Sequence, residues 1–508
     1  MSYGLKREDK RDLGRAAQHY SDDLWPANLY CLFFLKGVSP LLFNSLQFLF
    51  LFVPCVLLGF WFLFRGSNSR LIFMNLASFV FYGAWSWKFL PLLIFSTYFD
   101  FKIAQIMEKK KPEKRKKYVV ASVVVNLGLL VFFKYFYFFL DTGSWLLAYL
   151  EIELTSPSWD IVLPVGISFY TFQSMSYTID VYRSHSKPYT DYKLFTAYVC
   201  FFPQLVAGPI IRHNELVSQI QETVKKRFSA EAMVLGLHFF TIGLAKKVLI
   251  ADRIAAGIDP ALLQLAHLSS FEALLCALGY SLQLYFDFSG YSDMAIGLGH
   301  FFNLKFPVNF DSPYKSQSIT EFWRRWHITL SRWLRDYLYI ALGGNRLGTF
   351  NTYRNLMLTM TLGGLWHGAG WNYVVWGAYH GMWLVIERLL GAAPLWRGPV
   401  LLQTLITFLV VTVGLIFFRS PTMSYAMDWF EILFSFEGGF RLDHFHPKVR
   451  DKFVVMFLMA IVLQFLPNSQ EMVKKQVPGY RSMLYYALIF YLSLVFMASE
   501  SPFLYFQF

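Results

Sequence analysis

The stretch KKKPEKRKKYVVASVVVNLGLLVFFKYFYFFL (Lys109–Leu140) decides the fold class. Its apolar part, Tyr118–Leu140, exceeds the about 20 residues that an α-helix needs to cross a bilayer core. The basic part, Lys109–Lys117, is the densest cationic run in the chain, and the bias of Lys and Arg towards the inner side of membranes places it in the cytoplasm. Further apolar runs lie at Leu41–Phe64, Leu71–Trp85, Phe89–Met107, Leu194–Ile211, Met233–Ile250 and Phe271–Leu284. Others follow at Asn355–Leu365, Tyr373–Leu390, Val400–Phe418, Phe453–Leu466 and Leu484–Met497. These predict an all-α polytopic membrane protein of about 10–12 transmembrane or re-entrant helices.

Composition agrees. Of 508 residues 56% are hydrophobic, 19% aromatic and only 16% charged, against about 25% charged in soluble chains. A disordered chain, a nucleic-acid module and a secreted disulfide scaffold are disfavoured on that balance. The net charge of +13 would suit nucleic acid in a soluble protein. In a multispan protein it reflects inner loops facing anionic lipid, so the expected partner is membrane lipid and not nucleic acid. Cys31, Cys55, Cys200 and Cys276 lie in or beside apolar runs without CxxC spacing, which gives neither a disulfide framework nor a zinc site.

The domain organisation is a 1–40 extension followed by a single transmembrane domain, 41–508. Counting spans back from Lys109 puts the segment before Leu41 outside. That conflicts with its basic start (Lys6, Arg7, Lys10, Arg11, Arg15) unless LYCLFFLKGV (Leu29–Val38) changes sides or lies in the interface as an amphipathic arm. The order of regions that marks a signal peptide is lacking. Phe436–Lys452 is a polar loop long enough to fold over one face.

Two apolar segments are interrupted by small and polar residues, LPVGISFYTFQSMSYTID (Leu163–Asp180) and LGGLWHGAGWN (Leu362–Asn372). Such segments lie against protein or a wet cavity rather than lipid. Two of the eleven histidines stand in dense polar-aromatic settings, His327 in TEFWRRWHITLSRWLRDYLY and His367 in GGLWHGAGW. Ionisable groups at membrane depth are costly, which makes both candidates for function. On a continuous helix Thr320, Arg324, His327 and Ser331 share one face, and Trp326, Trp333 and Tyr337 another. That segment reads either as an interfacial anchor or as an entrance where Arg324, Arg325, Arg332 and Arg335 hold a phosphate-bearing donor, guanidinium being suited to bidentate phosphate contact.

His367, flanked by glycines, reads either as a structural histidine or as a general base, since imidazole can take a hydroxyl proton as that oxygen attacks a thioester. His380 reads as helix packing or a supporting hydrogen bond. Asp287 and Asp293 read as groups that orient a histidine or hold a cation. The sequence has no HExxH, no Walker loop and no GxSxG, so no metal and no internal serine nucleophile is expected. Donor and acceptor both come from outside the chain. Trp366, Asn372 and the glycine-rich backbone are the candidate oxyanion donors.

In these residues the chain resembles the membrane-bound O-acyltransferase superfamily and, within it, the bacterial alginate O-acetyltransferase membrane subunits. The resemblance runs from about Phe43 to Phe508 through LPVGISFYTFQSMSYTIDVYR (Leu163–Arg183), FFPQLVAGPIIR (Phe201–Arg212), GLAKKVLIADR (Gly243–Arg253) and YFDFSGYSDMAIGLG (Tyr285–Gly299). It continues through NFDSPYKSQSITEFWRRWHITLSRWLRDYLYI (Asn309–Ile340), LGGLWHGAGWNYVVWGAYHG (Leu362–Gly381), FFRSPTMSYAM (Phe417–Met427) and the ending FLYFQF. It implies helices around a central tunnel, with the superfamily's catalytic histidine at His367 and a second signature position at His327, which orients the donor or shares proton handling. It also implies that an acetyl group, starting on acetyl-CoA in the cytoplasm, crosses the inner membrane to a periplasmic accessory acetyltransferase and then to a polysaccharide acceptor such as alginate, with no permanently bound cofactor. The extension up to Pro40 departs from the family pattern. Rival readings are D-alanyl transfer to teichoic acid, O-acetylation of peptidoglycan or cellulose, a transporter or flippase without covalent chemistry, and a scaffold for polysaccharide export.

Overall fold

A computed structural model describes residues 41–152, 157–391, 398–445, 447–475, 479–497 and 503–504. The expected amino-terminal extension, 1–40, lies outside the described residues. The described residues are helices and connecting turns, and the chain is an all-α multi-pass membrane protein. Four stretches are long and apolar enough to cross a membrane on length and composition alone: Ser67–Glu108, Pro112–Ala148, Ala230–Leu262 and Val400–Arg419. Phe48–Leu63 and Tyr480–Phe496 are shorter apolar helices. Ser270–Phe301, Thr349–His367 and Trp371–Leu389 are long enough as well, but they face inward and bury Ser, Thr, Asn, Asp, Glu or His.

The centre is a pair of antiparallel helices, Ala230–Ala245 and Ser270–Phe301. Glycines let their backbones touch, as is usual where lipid supplies no hydrophobic drive between helices. A Cβ on Gly236 would lie 2.7 Å from the carbonyl oxygen of Gly297, and one on Gly290 would lie 2.7 Å from that of Gly243. The second helix starts at a capping box, where Ser269 Oγ accepts from Glu272 N (3.2 Å) and Glu272 Oε2 accepts from Ser269 N (2.9 Å). The loop after Phe436 folds over this end: Glu437 N donates to Ser270 Oγ and His444 N to Glu272 Oε1.

Polar bonds fix the other helices. Asp100 accepts from Ser122 Oγ (2.7 Å) and Asn126 Nδ2 (2.8 Å), tying Leu90–Glu108 to Pro112–Leu130. Buried Lys247 pairs with Asp287 (2.6 Å) and Asp252 (2.9 Å). Thr349–His367 and Trp371–Leu389 pack tightly because a Cβ on Gly364 or Gly377 would collide with the carbonyl of Tyr373 or of Met360.

Leu194–Ile211 does not form the crossing expected of it. It is a helix Tyr192–Cys200, a single turn Phe202–Leu205, a further turn over 206–208 and a buried, non-helical run to Ile211. The helix breaks at Phe201 (φ −59°, ψ 116°), and Pro203, which has no amide to offer a helix continuing from Cys200, sits in the first turn after that break, while Pro209 cannot extend the turn that follows.

Candidate functional site

His327 sits at a break. Helix Ile319–Arg325 begins at Ser318, whose Oγ accepts from Glu321 N, and the Glu387 carboxylate accepts from Ile319 N (2.5 Å) and Thr320 N (2.8 Å). The chain then turns. Trp326 is extended, His327 is left-handed (φ 43°, ψ 52°), and a second helix, Ile328–Trp333, follows. The face that Thr320, Arg324, His327 and Ser331 were expected to share therefore does not exist as one helical stripe. A left-handed conformation costs a non-glycine residue about 1–2 kcal/mol. It is held by Asn309, whose main-chain carbonyl accepts from Ile328 N (2.9 Å) and whose Oδ1 accepts from Thr329 N (3.2 Å) and Thr329 Oγ1 (2.9 Å). The same Oδ1 lies 3.2 Å from His327 Nδ1.

His367 is the last residue of Thr349–His367 and is 6% exposed; His327 is 1% exposed. The two ring centroids are 6.3 Å apart. Trp376 stands edge-on to His367 at 5.2 Å, Phe418 at 5.4 Å, and Phe288 edge-on to His327 at 4.9 Å. The carbonyls that end the His367 helix are bound by residues of another helix: Lys134 Nζ donates to Trp366 O (2.7 Å) and His367 O (2.9 Å), and Tyr135 Oη to Leu365 O (2.9 Å). An ammonium there satisfies orphan carbonyls and complements the negative end of the helix dipole. Lys134 stands about 26 Å along its helix from Lys117, the last residue of the basic run, which sets the depth of the site.

A column of aromatic rings leads away from His367. Trp366 stacks on Phe172 at 5.1 Å, and Phe172 on Trp333 at 3.7 Å and 3°. Beyond Trp333 is Tyr337, whose hydroxyl donates to Asp180 Oδ2 (2.7 Å); His213 Nε2 meets the same oxygen at 3.2 Å. Two guanidiniums, Arg183 and Arg212, lie over the Tyr337 ring at 5.6 and 5.5 Å.

The four sequence-predicted arginines do not form one group. Arg332 pairs with Glu215, and Arg335 with Asp336 (2.6 Å); Arg212 also pairs with Asp336 and reaches Arg332 O. Arg332 and Arg335 thus share a cluster with Arg183 and Arg212, both of which lie in quoted motifs and were not singled out. Arg325 belongs elsewhere, on Glu321 (2.9 Å) and Asp311 O (3.2 Å), and Arg324 is exposed. Burial raises the Asp336 carboxyl, but hydrogen bonds and charge from Arg335 and Arg212 outweigh it and hold that carboxyl below its ordinary value.

A small cleft lies on the other side of Asn309 and is lined by Lys246, Tyr285, Ser292, Asp293, Asn309 and Ser469, among others. Lys246 Nζ bonds Asp293 Oδ2 and Ser469 Oγ, each at 2.7 Å. Asp293 therefore faces this cleft, and Asp287 is occupied by Lys247 and by Leu504 N (3.0 Å). Each carboxylate pairs with a lysine, and no contact with His327 or His367 is seen for either. His380 is fully buried, edge-on to Trp323 and Trp376 at 5.2 Å each, and packs helices together. Asn372 Nδ2 is taken up by Ser420 O (2.7 Å) and Phe417 O (3.3 Å), which removes it from the oxyanion candidates. Among the described residues no group of three metal-ligating side chains forms. Sequence reasoning missed Lys134 and Asn309. Lys134 carries a signal, a lone cation inside an apolar run; Asn309 carries none.

Comparison with known proteins follows the same residues. The pattern of the MBOAT, membrane-bound O-acyltransferase, family matches residues 126–394. The chain is 47% identical over 403 residues to the "Probable alginate O-acetylase AlgI" of Pseudomonas aeruginosa, covering 78% of this chain and 75% of that protein. It is 36% identical over 527 residues to the peptidoglycan O-acetyltransferase of Helicobacter pylori, covering 93% of this chain and 98% of that one. With the teichoic acid D-alanyltransferase of Bacillus subtilis it is 30% identical over 233 residues, which is 44% of this chain and 58% of the other.

Proposed function

We propose, from the premise that this chain belongs to the membrane-bound O-acyltransferase family, that it passes an acetyl group from cytoplasmic acetyl-CoA across the bacterial inner membrane to a periplasmic partner protein or polysaccharide hydroxyl. The chain is a multi-pass membrane O-acyltransferase, and membrane O-acetyl transfer is the chemistry that its family and relatives support. That replaces the transporter and scaffold readings.

One observation carries the mechanism: two buried imidazoles with centroids 6.3 Å apart. Rings so placed are too distant for a direct N–H···N bond of about 3 Å, and near enough for one oxygen to be held by both. In this reading His367 takes the proton of the acceptor hydroxyl as its oxygen bonds to the thioester carbonyl carbon. The tetrahedral oxyanion then collapses, the C–S bond breaks, and the imidazolium returns its proton to the CoA thiolate. His327 orients the donor or shares the proton. Enclosure in aromatic rings keeps bulk water from hydrolysing the thioester and strengthens each electrostatic contact.

The donor's phosphates are assigned to Arg332 and Arg335, joined by Arg183 and Arg212 and not by Arg324 or Arg325. Arg183 of this cluster is separated from Phe172, which stacks on Trp366, by about 16 Å of helix, a span for the pantetheine arm. Only the acyl group then has to pass the histidine pair. The polysaccharide is read as alginate-like from the Pseudomonas relatives. The near-complete coverage of the Helicobacter protein supports peptidoglycan as the second acceptor class, and the partial D-alanyltransferase match leaves a carrier-bound donor as the competing donor.

The test is purified protein in nanodiscs with radiolabelled acetyl-CoA and a candidate periplasmic partner. Label on the partner, falling about 10²–10⁴-fold in His367→Ala, is the expected result. Persistence of label in that variant moves the base elsewhere, and turnover only with a carrier-protein thioester replaces CoA as donor.

A further inference from the structure

Asn309 touches three groups with one oxygen, and elementary donor chemistry decides what that oxygen does to His327. The main-chain amide of Thr329 can only donate, so the side-chain atom of Asn309 facing it at 3.2 Å must be the carbonyl oxygen and not the NH₂. The remaining atom, Nδ2, then faces Ser292 Oγ at 3.3 Å, where a donor is accepted. With the orientation of the amide settled, Oδ1 stands 3.2 Å from His327 Nδ1. Two acceptors at that separation repel, so Nδ1 carries a proton. A neutral imidazole has one proton, and its lone pair is therefore on Nε2.

We propose that Asn309 is a positioning residue that holds His327 as the Nδ1–H tautomer, so that this histidine enters the reaction through Nε2 as a proton acceptor. The site is built for this role. Asn309 is 1% exposed, its own carbonyl anchors Ile328 N at 2.9 Å, and Thr329 Oγ1, which donates to its side chain, also accepts from Ile210 N at 3.0 Å. A neutral amide is the suitable partner in an apolar interior. A carboxylate would fix the same tautomer but draw the ring into a charged imidazolium, whereas the amide selects the tautomer and leaves the ring neutral, ready to accept. The proposal refines the acyl-transfer reading in assigning the role of Nε2, but the tautomer itself exists without substrate and is measured without it.

The experiment is ¹⁵N NMR of ¹⁵N-histidine-labelled protein in nanodiscs, His327 being assigned by difference from His327→Gln. The expected spectrum has a pyrrole-type, proton-coupled Nδ1 and a pyridine-type Nε2 for His327. Asn309→Ala is expected to release this into a mixture or into the Nε2–H form, with kcat falling tenfold or more and KM for acetyl-CoA unchanged. Asn309→Asp is expected to retain the proton on Nδ1 and, by drawing the ring towards imidazolium, to add one on Nε2 with loss of kcat; it serves where the alanine variant does not fold, and a pyridine-type Nδ1 in it overturns the proposal. An Nε2–H tautomer in the unaltered protein, or the same tautomer in Asn309→Ala, overturns the proposal. Protein that shows the Nδ1–H form yet does not use acetyl-CoA defeats the proposed function and leaves this inference standing.

Discussion

At the scale of single residues, the site joins groups that are far apart in the chain. His367 receives its backbone anchor from Lys134, 233 residues away, and His327 its side-chain partner from Asn309, 18 residues away. Both histidines were visible in the sequence because an ionisable group in apolar surroundings is costly and stands out. The pairings were not: Lys134 stands out as a lone cation in an apolar run, but nothing local joins it to His367, and Asn309 carries no signal at all. Lys134→Met is expected to orphan two carbonyls in an apolar interior, lowering stability by about 1–3 kcal/mol and reducing kcat by loosening the end of the helix that carries His367. Lys134→Arg is expected to recover part of both. Thermal unfolding in nanodiscs, set beside turnover, checks this; unchanged stability and kcat in Lys134→Met would remove the anchor from the account.

At the scale of elements, hydropathy read the spans well wherever a helix faces lipid and less well wherever it faces protein. Pro112–Ala148 follows directly from its apolar run. The break at Trp326–His327 was invisible, since neither residue is a helix breaker and the turn is imposed by Asn309 from outside the segment. Leu194–Ile211 failed as a span because two prolines outweigh an apolar composition. The glycines of the central pair make a sharper prediction. On Gly243 a Cβ would lie 2.5 Å from the carbonyl oxygen of Gly290, whereas on Gly128 it would meet nothing within 4 Å. Gly243→Ala is therefore expected to cost about 1–3 kcal/mol through backbone displacement. Gly128→Ala is expected to be neutral or to gain about 0.5–1 kcal/mol from helix propensity. Equal melting shifts for the two would contradict the packing described for Ala230–Ala245 against Ser270–Phe301.

At the scale of the whole molecule, the chain presents a basic cluster, an aromatic column and a histidine pair in sequence from one side towards the other. In the proposed reaction the order matters more than any single contact, because it would keep the charged donor at the arginines while only the two-carbon group moves. The sequence motifs contained all these residues: one segment supplied Arg324, Arg325, Arg332 and Arg335 as a group, whereas three-dimensional proximity joins Arg332 and Arg335 to Arg183 and Arg212. Arg183→Gln and Arg212→Gln are each expected to raise KM for acetyl-CoA about tenfold, more so at low salt where charge is least screened, with kcat little changed. Arg324→Gln, on an exposed side chain, is expected to leave KM within about twofold at any salt concentration. The reverse ranking in steady-state kinetics would return the donor mouth to the sequence-based choice.

The most direct measurement of the central claim is acetyl transfer through a sealed membrane. Proteoliposomes carry the protein, radiolabelled acetyl-CoA is confined to the side bearing Lys109–Lys117, and the acceptor to the other. The account predicts labelled acceptor on the far side with intact acetyl-CoA retained on the near side, and a loss of about 10²–10⁴-fold in rate for His367→Ala. Equal labelling by His367→Ala, or label appearing only where donor and acceptor share a compartment, would contradict it.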